Sequence, residues 1–268
     1  MSQASFIPLT GAKWAARSEA YASLISEHLA PTTVWLDAGC GSRLLEDDMD
    51  TLEKWLVGRC KLIFGMDPLS TWNRNIRSLL QGSLYKLPFA DSSLDLITCH
   101  MVIEHLDRPR SAFAEVCRCL RPNGVFIAIT PNMINYGIFA NAVATKLIPE
   151  KWRLRIVHAL DSRTDEDIFP VRYKANTMRG LRHLLRSAGL RIRRAIGLRQ
   201  QQAYWRRHPS FERAFMWLTP IQVLLICAHK PASKTLSRLT QIPITKVQAP
   251  YSISSVPEAH LEHLLAPR

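Results

Sequence analysis

Apolar positions recur at Tyr21, Leu24, Ile25 and Leu29, the stripe of an amphipathic helix over residues 12–29 that Pro31 stops. Short unbroken apolar runs follow. Val34–Leu36 ends in Asp37 and a glycine turn, and Lys61–Met66 ends in Asp67. Leu94–Cys99 comes next, then Val125–Thr130 behind the turn Arg121-Pro122-Asn123-Gly124. Runs of this length, apolar on both faces, predict buried parallel strands. Phe113, Val116, Cys117 and Leu120 place a helix between the last two of these strands. Asn176-Thr177 predicts the cap of a later helix carrying Leu181, Leu184, Leu185 and Ala188, ended by Gly189. Arg191–Ile196 and Val223–Ala228 are the final strand candidates. Strands alternating with helices imply a parallel sheet with right-handed crossovers.

The 268 residues suffice for one large α/β domain with a lid and a tail, and 47% hydrophobic with 21% charged residues is ordinary for a globular enzyme. Pro122–Thr145 and Ala214–Ala228 are uncharged, but polar residues and Pro220 interrupt them, so neither reads as a membrane span. Residues 1–31 carry Lys13, Arg17, Glu19 and Glu27 and show no export pattern, which predicts a cytoplasmic protein. The six cysteines contain no C-x-x-C pair and read as reduced thiols. The net charge of +13 is uneven: residues 1–130 hold 13 basic and 14 acidic side chains, and the remainder hold 22 and 8. That asymmetry suggests an anionic partner for the C-terminal half, with a solvated basic face as the alternative. From Pro231 onward five prolines fall within 38 residues, as in a tail, although Pro257–Leu265 has the pattern of a short helix.

Parallel α/β sheets bind ligands at the carboxyl ends of their strands, where strand order reverses. The unusual residues stand at such ends: Gly39 and Gly41 after the first strand, and Asp67 after the second. There is no G-x-x-x-x-G-K-[ST], and Gly39-Cys40-Gly41-Ser42-Arg43-Leu44 lacks the third glycine of a dinucleotide fingerprint. A glycine loop alone is weak, but an ordered series follows it. The series is Leu36-Asp37-Ala38-Gly39-Cys40-Gly41, Gly65-Met66-Asp67, Leu87–Asp95, Ile103-Glu104-His105-Leu106, Leu120–Gly124 and Thr130-Pro131-Asn132.

This series resembles the class I S-adenosylmethionine-dependent methyltransferases of type 11, which act on small molecules, over roughly residues 30–132. The resemblance implies a Rossmann-like α/β fold: a mainly parallel seven-stranded sheet, helices on both faces, and a lid insertion. It implies residues 1–33 as a helical cap, 34–130 as the cofactor-binding core, and 131–175 as the lid. Residues 176–230 would complete the fold and 231–268 form a flexible tail. By position, Gly39 and Gly41 would pass beneath the methionine part of S-adenosylmethionine and Asp37 would help hold its amino group. Asp67, with Pro68 beside it, would bind the ribose; Ser83 and Leu84 would lie along the adenine edge; His100 would flank the sulfonium. Three departures are visible: Arg43 stands where many relatives have a third glycine, Ser83 where many have Asp, and Gly39 to Asp67 spans 28 positions, longer than the family leads one to expect. Asp50-Thr51-Leu52-Glu53 looks like a capping box that starts the intervening helix late.

Methyl transfer from a sulfonium needs alignment and, for a hydroxyl or protonated amine, a base. His100 is the first candidate for that base and His105 the second. Ubiquinone-type relatives carry an E-x-x-E-H run that binds a divalent cation. Here the run is Met101-Val102-Ile103-Glu104-His105, one carboxylate short, so no metal is expected. Residues 131–175 are too long for a plain connection. Their Tyr136, Ile138, Phe139, Val143, Leu147, Ile148 and Trp152, followed by Arg153 and Arg155, suit a lipophilic pocket or a helix at the inner face of a membrane. Arg179, Arg182, Arg186, Arg191, Arg193 and Arg194 would suit nucleic-acid phosphates, but no aromatic residues interleave with them. The favoured reading is methylation of a small lipophilic or anionic metabolite. Nucleic-acid methylation and a non-catalytic accessory role are the alternatives, and oligomeric state is left open.

Overall fold

The computed structural model describes residues 5–12, 14–69, 72–134, 170–200 and 223–232. The chain divides into units Met1–Ala232 and Ser233–Arg268, and every described residue belongs to the first. Residues 135–169 of the expected lid, and the expected tail with the helical pattern at 257–265, lie outside the described residues.

Eight strands form one sheet: β1 (Ser5–Ala12), β2 (Val34–Ala38), β3 (Leu62–Asp67), β4 (Ser78–Gln81), β5 (Leu94–His100), β6 (Leu120–Pro131), β7 (Arg191–Gln200) and β8 (Val223–His229). Their spatial order is β1-β7-β8-β6-β5-β2-β3-β4. All neighbours run parallel except β8, which is antiparallel to both β6 and β7. The six strands expected from the apolar runs are all present. β4 escaped notice because it is short and only partly buried. β1 is a further difference, since residues 1–33 contain a strand as well as the expected helix. Its Pro8 is tolerated because β1 is the edge of the sheet, paired only to β7.

Helices α1 (Trp14–Ser26) and α2 (Asp50–Val57) cover one face; α3 (Pro109–Cys119) and α4 (Met178–Ser187) cover the other. Side chains alternate between the two layers. Trp35, Ile127 and Leu225 face the α1 side, while Leu36, Ala128 and Ile226 face the α3 side. Thr177 caps α4 by accepting a hydrogen bond from the Gly180 amide at 3.0 Å, and Gly189 follows the helix at φ +92°, as the sequence predicted.

The expected capping box does not form. A 3-10 turn over Asp47–Met49 runs directly into α2, so Met49 is the cap residue and makes no side-chain cap bond. Glu53 instead reaches out of the helix to other segments. Among the described residues no helix is long and apolar enough to cross a membrane.

Candidate active site

The order of strands reverses at β2. The chain moves outward through β3 and β4, then returns on the other side of β2 with β5. Such a switch point opens a crevice at the carboxyl ends of the two strands. Asp37 and Thr98 close its floor: Thr98 Oγ1 donates to Asp37 Oδ1 at 2.7 Å and accepts from Trp35 Nε1 at 2.8 Å. Asp37 is 1% exposed, and burial pushes its carboxyl up to about 7 despite the Thr98 bond.

Immediately after Asp37 the backbone turns through Gly39 at φ +80° and Gly41 at φ +45°. A Cβ on Gly39 would stand 2.2 Å from Val102 Cγ2, so only glycine fits between β2 and the turn after β5. A Cβ on Gly41 would meet nothing within 4 Å; its outer side is open. The Gly41 amide donates to Asp67 Oδ2 at 3.2 Å and the Leu69 amide to Oδ1 at 2.9 Å, which fixes the carboxylate at the end of β3.

Asp67 is tied to its neighbours in the binding row. The Gly82 amide donates to the Asp67 carbonyl at 3.1 Å, and Gln81 Nε2 donates to the Pro68 carbonyl at 3.0 Å. Ser83 and Leu84 follow directly. Ser83 is exposed, its Oγ accepting from the Tyr85 amide at 3.3 Å, whereas the Leu84 side chain is 6% exposed and packs into the core.

His100 ends β5. Its ring lies 5.2 Å from that of the fully buried Tyr21, and its Nε2 is shut off from solvent with no hydrogen-bond partner among the described residues. Burial, with the cations of Arg17 and Arg43, lowers its pKa to about 3, so the imidazole is neutral at physiological pH. Arg17, on α1 and 5% exposed, donates to Glu46 Oε1 at 2.8 Å and so links α1 to the loop beyond Gly41.

His105 stands elsewhere, in the 3-10 turn Ile103–His105, with Nδ1 3.3 Å from the Pro170 carbonyl. Its neighbour Glu104, 3% exposed and pushed up to about 7 by burial, accepts from Thr130 Oγ1 at 3.0 Å. The Glu104 carbonyl accepts from the amides of Arg172 and Tyr173 at 2.7 and 3.0 Å. Asn176 Nδ2 donates to Thr130 Oγ1 at 2.7 Å. The E-H-L and T-P-N segments thus meet in one buried network that joins the described residues on either side of 135–169.

The sequence reading missed a second brace. Asn73 Nδ2 donates to the carbonyls of Cys40 and Gly41, both at 3.1 Å. Glu53, 0% exposed, accepts at Oε2 from the amides of Leu44 and Leu45 at 3.2 and 2.9 Å and from Arg74 Nη2 at 2.7 Å. Its Oε1 accepts from Asn75 Nδ2 at 2.8 Å. Leu44, Leu45 and Glu53 lie in the long stretch between Gly39 and Asp67, and Asn73–Asn75 reach back to it from beyond Asp67. Asn73-Arg74-Asn75, three polar side chains in a row before a strand, was the only signal available.

The sheet order, the glycine turn and the carboxylate at the end of β3 have the arrangement expected from the resemblance to class I S-adenosylmethionine-dependent methyltransferases. Residues 36–128, about a third of the chain, match the model of the type 11 methyltransferase domain family. A probable S-adenosylmethionine-dependent methyltransferase of Mycolicibacterium smegmatis is 29% identical over 149 residues, 50% of this chain and 55% of the relative. One from Mycobacterium tuberculosis is also 29% identical, over 38% of this chain and 37% of its own length. The alignments therefore span about half or less of the relatives they match.

Among solved structures, the putative methyltransferase of Haloferax volcanii in complex with the Trm112 activator superposes with a TM-score of 0.54 at 17% identity, covering 81% of this chain and 91% of that one. The geranyl diphosphate C-methyltransferase of Streptomyces coelicolor, bound to Mg2+, geranyl diphosphate and S-adenosylhomocysteine, gives 0.50 at 18% identity with 79% of each chain covered. Both likenesses concern the fold. The cofactor of the class is S-adenosylmethionine, and the residues present suit it: an open side at Gly41, an oriented carboxylate at Asp67, and a buried polar atom at His100 Nε2 awaiting a partner.

Proposed function

We propose that this chain transfers the methyl group of S-adenosylmethionine to a small lipophilic or anionic metabolite. The observation that carries the reading is His100 Nε2, a buried, unpartnered acceptor at the strand end next to the cofactor loop. A buried polar atom without a partner costs about 1–3 kcal/mol, and a bound acceptor that donates to it would remove that cost.

Bound S-adenosylmethionine supplies an electrophilic methyl carbon on a sulfonium leaving group. The chain's own residues do the rest. Asp37 would hold the amino group, the Gly39–Gly41 backbone would support the methionine part, and Asp67, with Pro68 beside it, would take the ribose hydroxyls. Ser83 and the Leu84 backbone border the adenine. His100, neutral in its Nδ1–H form, accepts the acceptor's O–H or N–H at Nε2 and holds the nucleophile in line. Its weak basicity suffices for an oxygen acceptor, because a methylated hydroxyl is an oxonium far more acidic than an imidazolium. His105, bonded to the Pro170 carbonyl, positions the turn that carries Glu104. The anionic part of the reading follows from the excess of basic residues in the C-terminal half. The apolar side chains of residues 136–152 favour a lipophilic body.

Titration calorimetry with S-adenosylhomocysteine tests the cofactor site. Asp67→Ala is expected to weaken binding by about tenfold to 100-fold, the loss of charge-assisted hydrogen bonds. No binding to the wild-type chain, or an unchanged affinity in the variant, overturns the reading. Transfer of labelled methyl to a metabolite extract tests His100: His100→Ala should lower turnover while cofactor affinity holds.

A further inference from the structure

Helix α4 leaves the carboxyl edge of the sheet just after Asn176 and presents two unlike faces. Leu181 and Leu185 are both 0% exposed and pack into the core. Arg179, Arg182, His183 and Arg186 are all exposed. Steps of three and four residues put them on one face of the helix, a stripe about 10 Å long at 1.5 Å per residue. The helix, MRGLRHLLRS, contains no acidic residue. Arg191 and Arg193, also exposed, stand just past its end.

Several acids among the described residues are already engaged. Glu115 and Asp91 hold Arg118 at 2.8 and 2.7 Å, Asp107 holds Lys174 at 2.6 Å, and Glu27 holds Arg194 at 2.8 Å. Among the described residues no ion pair joins an acid to Arg179, Arg182, Arg186, Arg191 or Arg193. At the site end of the helix stands an apolar side chain, Ile134, that is 64% exposed. It is placed there by its neighbour Met133, whose amide donates to the Asn176 carbonyl at 2.7 Å.

We propose that this face seats the chain on an anionic phospholipid surface. The α4 arginines engage headgroup phosphates, and Ile134 enters the boundary of the acyl region. Guanidinium groups bind phosphate oxygens in pairs, and basic clusters on an amphipathic helix are suited to anionic lipid. The same arginines would also attract RNA. Recognition of single strands, however, uses aromatic platforms between the cations, and α4 carries no Phe, Tyr or Trp, with His183 as its single ring. The exposed apolar neighbour at the end of the stripe favours lipid. The proposal stands on charge and exposure and does not depend on methyl transfer.

Co-sedimentation of the full chain with vesicles tests it. Vesicles of equal parts phosphatidylglycerol and phosphatidylcholine are expected to bind the chain, phosphatidylcholine alone is not, and added salt should weaken the binding. Each of Arg179→Ala, Arg182→Ala and Arg186→Ala should weaken binding about fivefold, and the triple variant on the order of 100-fold. Lys61→Ala/Arg77→Ala, which removes two exposed cations elsewhere, should bind like the wild type. Melting temperature and S-adenosylhomocysteine affinity should be unchanged in the triple variant, which shows that it folds. Ile134→Asp should weaken vesicle binding. Three results would overturn the proposal: no binding to the anionic vesicles, undiminished binding by the triple variant, or tighter binding to a structured RNA that the triple variant loses.

Discussion

Gly39 is constrained twice, by its φ of +80° and by Val102, whose Cγ2 lies 2.2 Å from where a Cβ would be. Gly39→Ala is expected to destabilise the chain by about 2–4 kcal/mol from backbone strain and overpacking together. Adding Val102→Ala should restore the packing share alone, as read by urea unfolding; complete recovery would mean that φ contributes nothing. Asp37 makes a different prediction. Its folded pKa of about 7 lies above the usual carboxyl value, so its contribution to stability is full below about pH 4 and is lost as pH rises to about 7. Relative to Asp37→Asn, the wild-type chain should therefore lose about 1.4 kcal/mol per pH unit across that window in thermal melts. A cationic amino group beside Asp37 favours the ionised carboxylate. Cofactor affinity should accordingly rise with pH up to about 7 and then level off, with a proton released that calorimetry in two buffers detects. An affinity flat between pH 5 and pH 7 would remove Asp37 from contact with the amino group.

At the level of elements, the loop from Cys40 to Glu46 gains its shape from a helix and a segment distant in sequence. Glu53 on α2 collects two loop amides, Arg74 and Asn75 on its buried carboxylate. Removing one member of such a network leaves buried charge and amides unmatched, so Glu53→Ala should cost about 3–5 kcal/mol. The same variant should bind S-adenosylhomocysteine more weakly, because the loop it anchors includes the Gly41 turn. Lost stability with unchanged affinity would show that the brace does not set the turn. The spacing Asp50–Glu53 fitted a local capping box, and that reading failed for a physical reason. A 3-10 turn already supplies the turn ahead of α2, and a carboxylate with no solvent exposure is better matched by a guanidinium and several donors than by one amide. The α4 cap, by contrast, was legible: Thr177 stands at a solvent-facing start where its nearest donor, the Gly180 amide, is its partner.

For the molecule as a whole, the sheet ends on one side in β1, which pairs only with β7. Removing residues 1–12 should uncover the β7 edge and promote self-association, measurable by light scattering; a monomeric shortened chain would show that the edge is protected by other means. Six strands, the flanking helices and the glycine turn could be read directly along the chain, because apolar runs and punctuation by Gly, Pro, Thr and Asp are local properties. The ordered series from Leu36 to Asn132 also sufficed to point to the family whose model matches residues 36–128. Tertiary structure decided everything that joins distant segments. It set the pairing of Asp37 with Thr98 across the β2–β5 reversal and the brace from Glu53 to Asn73–Asn75. It also set the burial that holds His100 at a pKa of about 3 and Asp37 and Glu104 at about 7. Sequence specifies which groups are present and their local conformation; which of them lose water, and beside which charges, exists only once the sheet has closed on its helices.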